Sequence, residues 1–338
     1  MPAIHTLSDP AILFFVFGLV AGCVRSNLEI PAPIARFLSL YLLMALGLKG
    51  GFALAATGLN AEVVTSLGCA ILLAIVVPLI GYTLLKRFMR GLDAAAIAAT
   101  YGSVSAVTFI TAIQHLETQG LPYGGHMAAA MALMESPAIV IAVFFANALR
   151  QRAGTAGVNL AADGSATLSA PPHTPLPLGK VLHESFTDGA QLLLLGAMLI
   201  GLVTGEAGKS VMAPFSIDLF KGMLAFFLLD MGLLAARNMR ELRHQSPALL
   251  AYALLAPLAH ATLALGLAAL AGLQAGNAAL LMVLAGSASY IAVPAVLRYA
   301  IPEAQPSLYL GMSLGLTFPF NIMLGIPLYV GTAHWALS

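Results

Sequence analysis

The chain is a succession of about ten apolar runs, each long enough to cross a bilayer, with nearly all the charge held in the stretches between them. The runs fall near 10–25, 31–55, 62–85, 92–115, 122–149, 184–205, 213–236, 246–272, 276–299 and 307–334. A membrane span consumes about 20 apolar residues, so this pattern predicts a polytopic all-α membrane protein. Only 9% of the 338 residues are charged, against about 25% in a soluble domain, too few to cover a surface with water-loving groups. The runs are continuous rather than alternating with period two, which excludes an outer-membrane barrel. A formal net charge of +1 and the lack of a Lys/Arg run interleaved with aromatics exclude nucleic acid as a partner.

The run Ala11–Cys23 follows no basic residue and ends in no recognisable cleavage site, so it reads as a first span rather than a signal peptide. Cys23 and Cys69 both lie in apolar runs and read as small buried hydrophobes. Residues 151–180 change to an Ala-, Gly-, Thr- and Pro-rich text and read as a flexible cytoplasmic linker. The chain then divides into a five-span half, 1–150, and a second five-span half, 181–338. Twelve of the 15 cations (Arg25, Arg36, Lys86, Arg87, Arg90, Arg150, Arg152, Lys180, Arg237, Arg240, Arg243 and Arg298) can share one side, leaving Lys49, Lys209 and Lys221 on the other. Cations mark the cytoplasmic side, so both termini are expected in the periplasm. An odd number of spans per half turns homologous halves upside down relative to each other. Inverted repeats are characteristic of transporters, with the binding site near the midplane between them.

A shift of 184 residues tests the repeat within the sequence. It lays Asp93 on Asn277, Gly102 on Gly286, Ser103 on Ser287, Ser105 on Ser289 and Pro122 on Pro306 without a gap. A shift one residue longer pairs Gly47-Leu48 with Gly232-Leu233, and Ala-Pro dipeptides open the second and seventh spans. The two Gly-Ser-x-Ser motifs, Gly102–Ser105 and Gly286–Ser289, thus hold corresponding places in the fourth and ninth spans. They read either as close-packing patches of small residues or as paired helix breaks at the midplane. The second reading explains their equal placement. A broken helix exposes unpaired N–H donors at one end and unpaired carbonyls at the other, which attract an anion and a cation respectively. With serine hydroxyls serving both, two such breaks make a site for a small anion beside Na+.

Polar residues inside spans are costly and need an account. Glu135, in MALMESPAIV, reads as a Na+ ligand or proton acceptor. Thr317, Pro319 and Asn321 bring oxygen donors to the tenth span. Asp230 either pairs with a cation such as Arg237 or takes part in coupling. His260 reads as a packing residue, and Lys49 with Gly50-Gly51 as a helix end at the outer interface. His115, His126, His173, His183 and His244 show no metal-ligand spacing. No hydrolase, metalloprotease or phosphate-loop motif is present, so an ion gradient rather than ATP is the expected driving force. A channel or sensory module and an intramembrane hydrolase are the readings from other classes.

The runs IPAPIARFLSLYLLMALGLKGGFAL, GSVSAVTFITAI, MESPAIV, LLAPLAHA and AGSASYIAVPAVLRYAIPEAQPSLYLGMSLGLTFPFNI resemble the sodium-dependent bicarbonate transporter family, and the likeness covers both halves. The resemblance implies ten spans in two inverted repeats, a core and a gate domain with crossed broken fourth and ninth helices, and a homotrimer importing bicarbonate with Na+ across the bacterial inner membrane. It places the anion at Gly102, Ser103, Val104, Ser105, Gly286, Ser287, Ala288, Ser289 and Tyr290, and Na+ at Ser103, Ser105, Thr108 and Glu135, to which the oxygen donors of the tenth span add Asn321. Two departures stand out. Glu135 replaces an Asp of relatives, keeping the carboxylate, and Tyr290 stands where cyanobacterial relatives carry an Asp. A small cytoplasmic PII-like regulator is also implied, but the long charged loop of those relatives is replaced by the short, nearly neutral 151–180 segment, which argues against it. The same fold carrying another small anion or carboxylate with Na+ or H+ is the alternative reading.

Overall fold

A computed structural model describes residues 9–156, 189–242 and 245–337, and every regular element among them is helical. The elements are α1 (Pro10–Cys23), α2 (Ala32–Thr57), α3 (Ala61–Leu85), α4 (Gly91–Gly102), α5 (Ala106–Thr118), α6 (Met127–Ala156), α7 (Gly189–Ala213), α8 (Phe220–Glu241), α9 (Pro247–Leu270), α10 (Ala275–Ala285), α11 (Ala292–Ala300), α12 (Pro306–Leu310), α13 (Phe318–Phe320) and α14 (Ile326–Leu337). Local chemistry sets several boundaries. Asp9 caps α1, its carboxylate accepting from Ala11 N at 2.8 Å, with Pro10 in the first turn, where no amide donor is missed. Asn60 caps α3 through Val63 N at 3.0 Å.

Among the described residues seven helices are long and apolar enough to span a bilayer. One of these, Gly189–Arg240, is a run of 52 residues that takes in both α7 and α8, more than one crossing requires. It is interrupted at Gly205, whose φ of 56° lies in the left-handed region that suits glycine. Leu255, Leu270 and Trp335 stand on the outside, a surface tolerable where hydrocarbon, not water, surrounds the helices. The segment Gly91–Thr118 sits at the centre, with 94% of its most apolar window buried, against 39% for Pro247–Leu270.

Two close helix pairs cross between the halves of the sequence, while α3 packs on α6 and α9 on α10 within their own halves. In one, α2 packs on α7, where a methyl group on Gly51 would overlap the Met198 carbonyl and one on Gly201 would lie 2.6 Å from the Leu48 carbonyl. Helices α1 and α8 meet in the same way through Gly18 and Gly232. Such backbone-to-backbone contact is how helices associate in lipid, where apolar side chains gain nothing by leaving hydrocarbon. The expectation that Lys49-Gly50-Gly51 ends a helix is corrected here. Helix α2 continues to Thr57, because Gly50 and Gly51 are sites of close approach to Gly125 and α7 rather than breaks. Lys49 pairs with Glu117 at 2.6 Å and lies over the Phe220 ring.

The ionic contacts sort to two ends. At one, Arg150 grips Glu303 through two nitrogens at 2.7 and 3.0 Å and donates to the Ala300 carbonyl, while Asp93 accepts from Gln305 N at 2.9 Å. At the other, Glu62 accepts from Gln274 N and Asn277 Nδ2, and Asn277 Oδ1 accepts from Gly124 N at 2.6 Å. Of the expected linker, 151–156 continue α6 as helix. The rest of it, with His173 and Lys180, lies outside the described residues, as do His183, Arg243 and His244.

Candidate functional site

Both Gly-Ser-x-Ser motifs are breaks in a helix. Helix α4 stops at Gly102, Ser103 and Ser105 are extended, and α5 starts at Ala106. Helix α10 stops at Ala285, and α11 resumes at Ala292. At each break a glycine packs closely against a proline of another span. A methyl group on Gly102 would lie 2.6 Å from the Pro78 ring, and one on Gly286 would lie 3.0 Å from the Pro257 carbonyl. Pro78 and Pro257 are interior to α3 and α9.

The two breaks bind each other. Ser105 N donates to Ser287 Oγ at 3.0 Å, and Ser289 N donates to the Thr100 carbonyl at 2.8 Å. The last serine of each motif then caps the following half-helix. Ser105 Oγ accepts from Thr108 N at 3.2 Å, and Ser289 Oγ from Val293 N at 3.3 Å. Two half-helix N-termini, each with residual amide donors and the positive end of a dipole, are thereby brought to one place. The stretch around α13 braces them, flanked by π-helical turns at Gly311–Thr317 and Asn321–Gly325. Thr317 Oγ1 donates to the Ala253 carbonyl at 2.7 Å and meets Tyr101 Oη at 2.6 Å, and Asn321 Nδ2 donates to the Gly286 carbonyl at 2.8 Å.

The breaks open on a cavity of about 210 Å³ between them, α2, α6 and α7. Of the residues expected at the site, Val104, Ser105, Glu135, Ser289 and Tyr290 line it. Glu135 is the only acid among the lining residues, and it accepts from Gln191 Nε2 at 2.6 Å. The Tyr290 hydroxyl lies near Ser105 without a hydrogen bond of good geometry. Gly102, Ser103, Gly286, Ser287 and Ala288 are buried in the breaks and form no part of the lining. Thr108 lies one layer behind, its hydroxyl donating to Ser105 Oγ at 2.9 Å. The Asn321 amide is engaged on both sides, since its oxygen accepts from Tyr329 Oη at 3.0 Å. The five oxygen-bearing residues assigned to a cation therefore do not surround one point.

Two polar lining residues escaped the sequence reading. Gln191 sits at the start of an apolar run, where a polar residue looks like a span edge, and Ser39 is a lone serine in the second run. Elsewhere, Asp230 is buried in α8 with Arg237 the cation acting on it, and His260 is buried in α9. Among the described residues no cluster of His, Cys, Asp and Glu suits a transition metal.

The cavity thus joins positive half-helix ends to a single carboxylate, a pairing suited to an anion and a cation held together. Comparison with known proteins agrees. The family described as the Na+-dependent bicarbonate transporter superfamily matches residues 10–334. None of the curated proteins matches the chain. Membership makes the chain a transporter and not an enzyme, with Na+ as the cation of the family's chemistry. From Pro10 to His334, the chain belongs to the Na+-dependent bicarbonate transporter superfamily.

Proposed function

We propose that the protein imports bicarbonate in symport with Na+ across a bacterial inner membrane. The observation that carries this is the meeting of two serine-capped half-helix N-termini in one cavity with Glu135. Ser105, Ser289, the Tyr290 hydroxyl and the amides that open α5 and α11 bind the anion. Glu135 binds Na+, a hard cation that prefers oxygen ligands.

In this reading the ten spans form two inverted repeats whose fourth and ninth members are the broken helices. Support comes from the exchange of partners between halves, α1 with α8 and α2 with α7, and from the reciprocal tethers of Asp93 to Gln305 and Asn277 to Gly124. The paired glycine-packed helices act as the gate and the elements around the breaks as the moving core. The protein assembles as a homotrimer with both termini in the periplasm.

The test is uptake of labelled bicarbonate into proteoliposomes under an inward Na+ gradient, with Na+ then replaced by choline or by a H+ gradient. Saturable uptake that disappears in choline is expected, and Glu135→Gln is expected to abolish its Na+ dependence. Uptake that persists on the H+ gradient alone refutes Na+ coupling, and absence of bicarbonate uptake under every gradient refutes the cargo.

A further inference from the structure

Helix α7 sends three residues to the cavity, Ala190, Gln191 and Leu194, and only Gln191 brings a polar side chain. The residue is 6% exposed, and a polar group inside a span needs a partner. It finds one in Glu135 of α6, whose Oε2 lies 2.6 Å from the Gln191 Nε2. An ionised carboxylate only accepts, so the amide turns its N–H side to Glu135 and not its oxygen.

The bond joins helices that are packed on different neighbours. Helix α7 lies on α2 through backbone contacts at Gly51 and Gly201, whereas α6 lies on α3 and α4. It also stands where the two ions of the proposed symport meet, because Ser105 and Ser289, which cap the half-helices, line the same cavity. A cation approaching Glu135 meets the positive hydrogens of the Gln191 amide on the very carboxylate it seeks. Turning the amide away admits the cation, but a buried donor without an acceptor is costly. An anion at the half-helix ends supplies the acceptor.

We propose that Gln191 exchanges partners as the ions bind: its N–H leaves Glu135 when a cation takes the carboxylate, and then donates to the anion. The inference rests on the reading of Glu135 as the cation ligand and adds a substrate-binding residue from α7. Its consequence is an energetic link between the two ions. Na+ alone breaks the bond between Gln191 and Glu135 and strands the donor, and bicarbonate restores an acceptor. Each ion therefore favours the other.

The test is the melting temperature of the purified full chain, titrated with Na+ in place of choline, with and without bicarbonate. In the wild type bicarbonate should lower the half-saturating Na+ concentration. Gln191→Met keeps the length of the side chain and removes its donors, so Na+ no longer has to break a bond to a charged group. Its half-saturating Na+ concentration without bicarbonate should fall about tenfold or more. Its half-saturating bicarbonate concentration should rise about fivefold, the share of one lost hydrogen bond, and bicarbonate should lose much of its effect on Na+. Gln191→Ala should move both values in the same directions and serves where the Met variant melts too low to titrate. Opposite changes for the two ions are not what a purely structural residue gives, since a loosened site binds both worse. A Na+ value that stays the same or rises overturns the exchange, and an unaltered response to bicarbonate overturns the anion contact. Glu135→Gln separates the two levels of the argument: if it leaves the Na+ response intact, the cation assignment itself falls, whereas loss of that response beside wild-type behaviour of both Gln191 variants overturns this inference alone.

Discussion

Ser105 holds two roles that one pair of substitutions separates. Its hydroxyl caps α5 by accepting from Thr108 N at 3.2 Å, and it also accepts from Thr108 Oγ1 at 2.9 Å. Both residues are buried, at 3% and 1% exposure. Ser105→Ala removes the cap, worth about 1 kcal/mol, and orphans the Thr108 hydroxyl, which costs about 1–3 kcal/mol in a buried setting. The expected destabilisation is therefore about 2–4 kcal/mol. Replacing both partners by apolar groups of similar shape is nearly neutral for the bond between them, so Ser105→Ala with Thr108→Val should recover the orphan's share and leave a loss near 1 kcal/mol. Uptake should behave differently. Thr108 does not line the cavity, and Thr108→Val alone should retain uptake, whereas Ser105→Ala and the double variant should both lose it. Reversible unfolding in bicelles measures the first quantity, and bicarbonate flux into proteoliposomes the second. If the double variant regained uptake along with stability, Ser105 would be a cap and nothing more, and the anion assignment at that hydroxyl would fall.

The bidentate contact of Arg150 with Glu303 joins the first half of the chain to the second, with side chains only 14% and 29% exposed. Glu303→Gln should cost about 2 kcal/mol, and a double-mutant cycle with Arg150→Met that gave a coupling below about 0.5 kcal/mol would show the pair to be incidental. Gly51→Leu forces α2 off α7 and should lower stability by about 3 kcal/mol or more, while Gly68→Leu, at an exposed position where an added Cβ meets nothing within 4 Å, should be silent in the same melt. An equal loss in both would refute the packing argument. His126 lies between α5 and α6, where burial lowers its pKa and the Glu62 charge opposes this in part. Because the folded protein disfavours the charged form, the unfolded chain binds more protons below about pH 6.5. Stability should therefore be full above that pH and fall as the medium is acidified, and His126→Gln should flatten the slope of melting temperature between about pH 5 and 7.

Hydropathy alone placed the helices well, because a span must be both long and apolar and little else in this sequence is either. The breaks were legible for a related reason, since Gly-Ser-x-Ser twice interrupts otherwise apolar text at positions a fixed 184 residues apart. Lys49-Gly50-Gly51 was misleading. In lipid a glycine pair can let two backbones touch as well as let one stop, and only the position of α7 tells the two apart. The site was half legible. Sequence identifies the oxygen-bearing residues but not the direction of their lone pairs, so Asn321 was grouped with cation ligands although its amide is spent on Gly286 and Tyr329. Gln191 was missed because its importance lies in facing Glu135 across 56 residues of sequence.

Under the proposed symport, the shape of the cavity gives a reason for the two cargoes to travel together. A carboxylate alone in an apolar wall repels an incoming anion, and half-helix ends alone repel a cation. A cation placed beside Glu135 relieves the first repulsion and an anion at Ser105 and Ser289 the second. Unit charges of opposite sign about 4 Å apart attract by about 4 kcal/mol where the effective dielectric constant is near 20. Part of that is lost to desolvation, yet a remainder of about 1–3 kcal/mol changes affinity between fivefold and 150-fold. Coupling of this kind is reciprocal by thermodynamic necessity. A cavity that binds each ion poorly alone and both well together is the minimum a symporter needs, and it requires here no charged residue beyond the single carboxylate of Glu135.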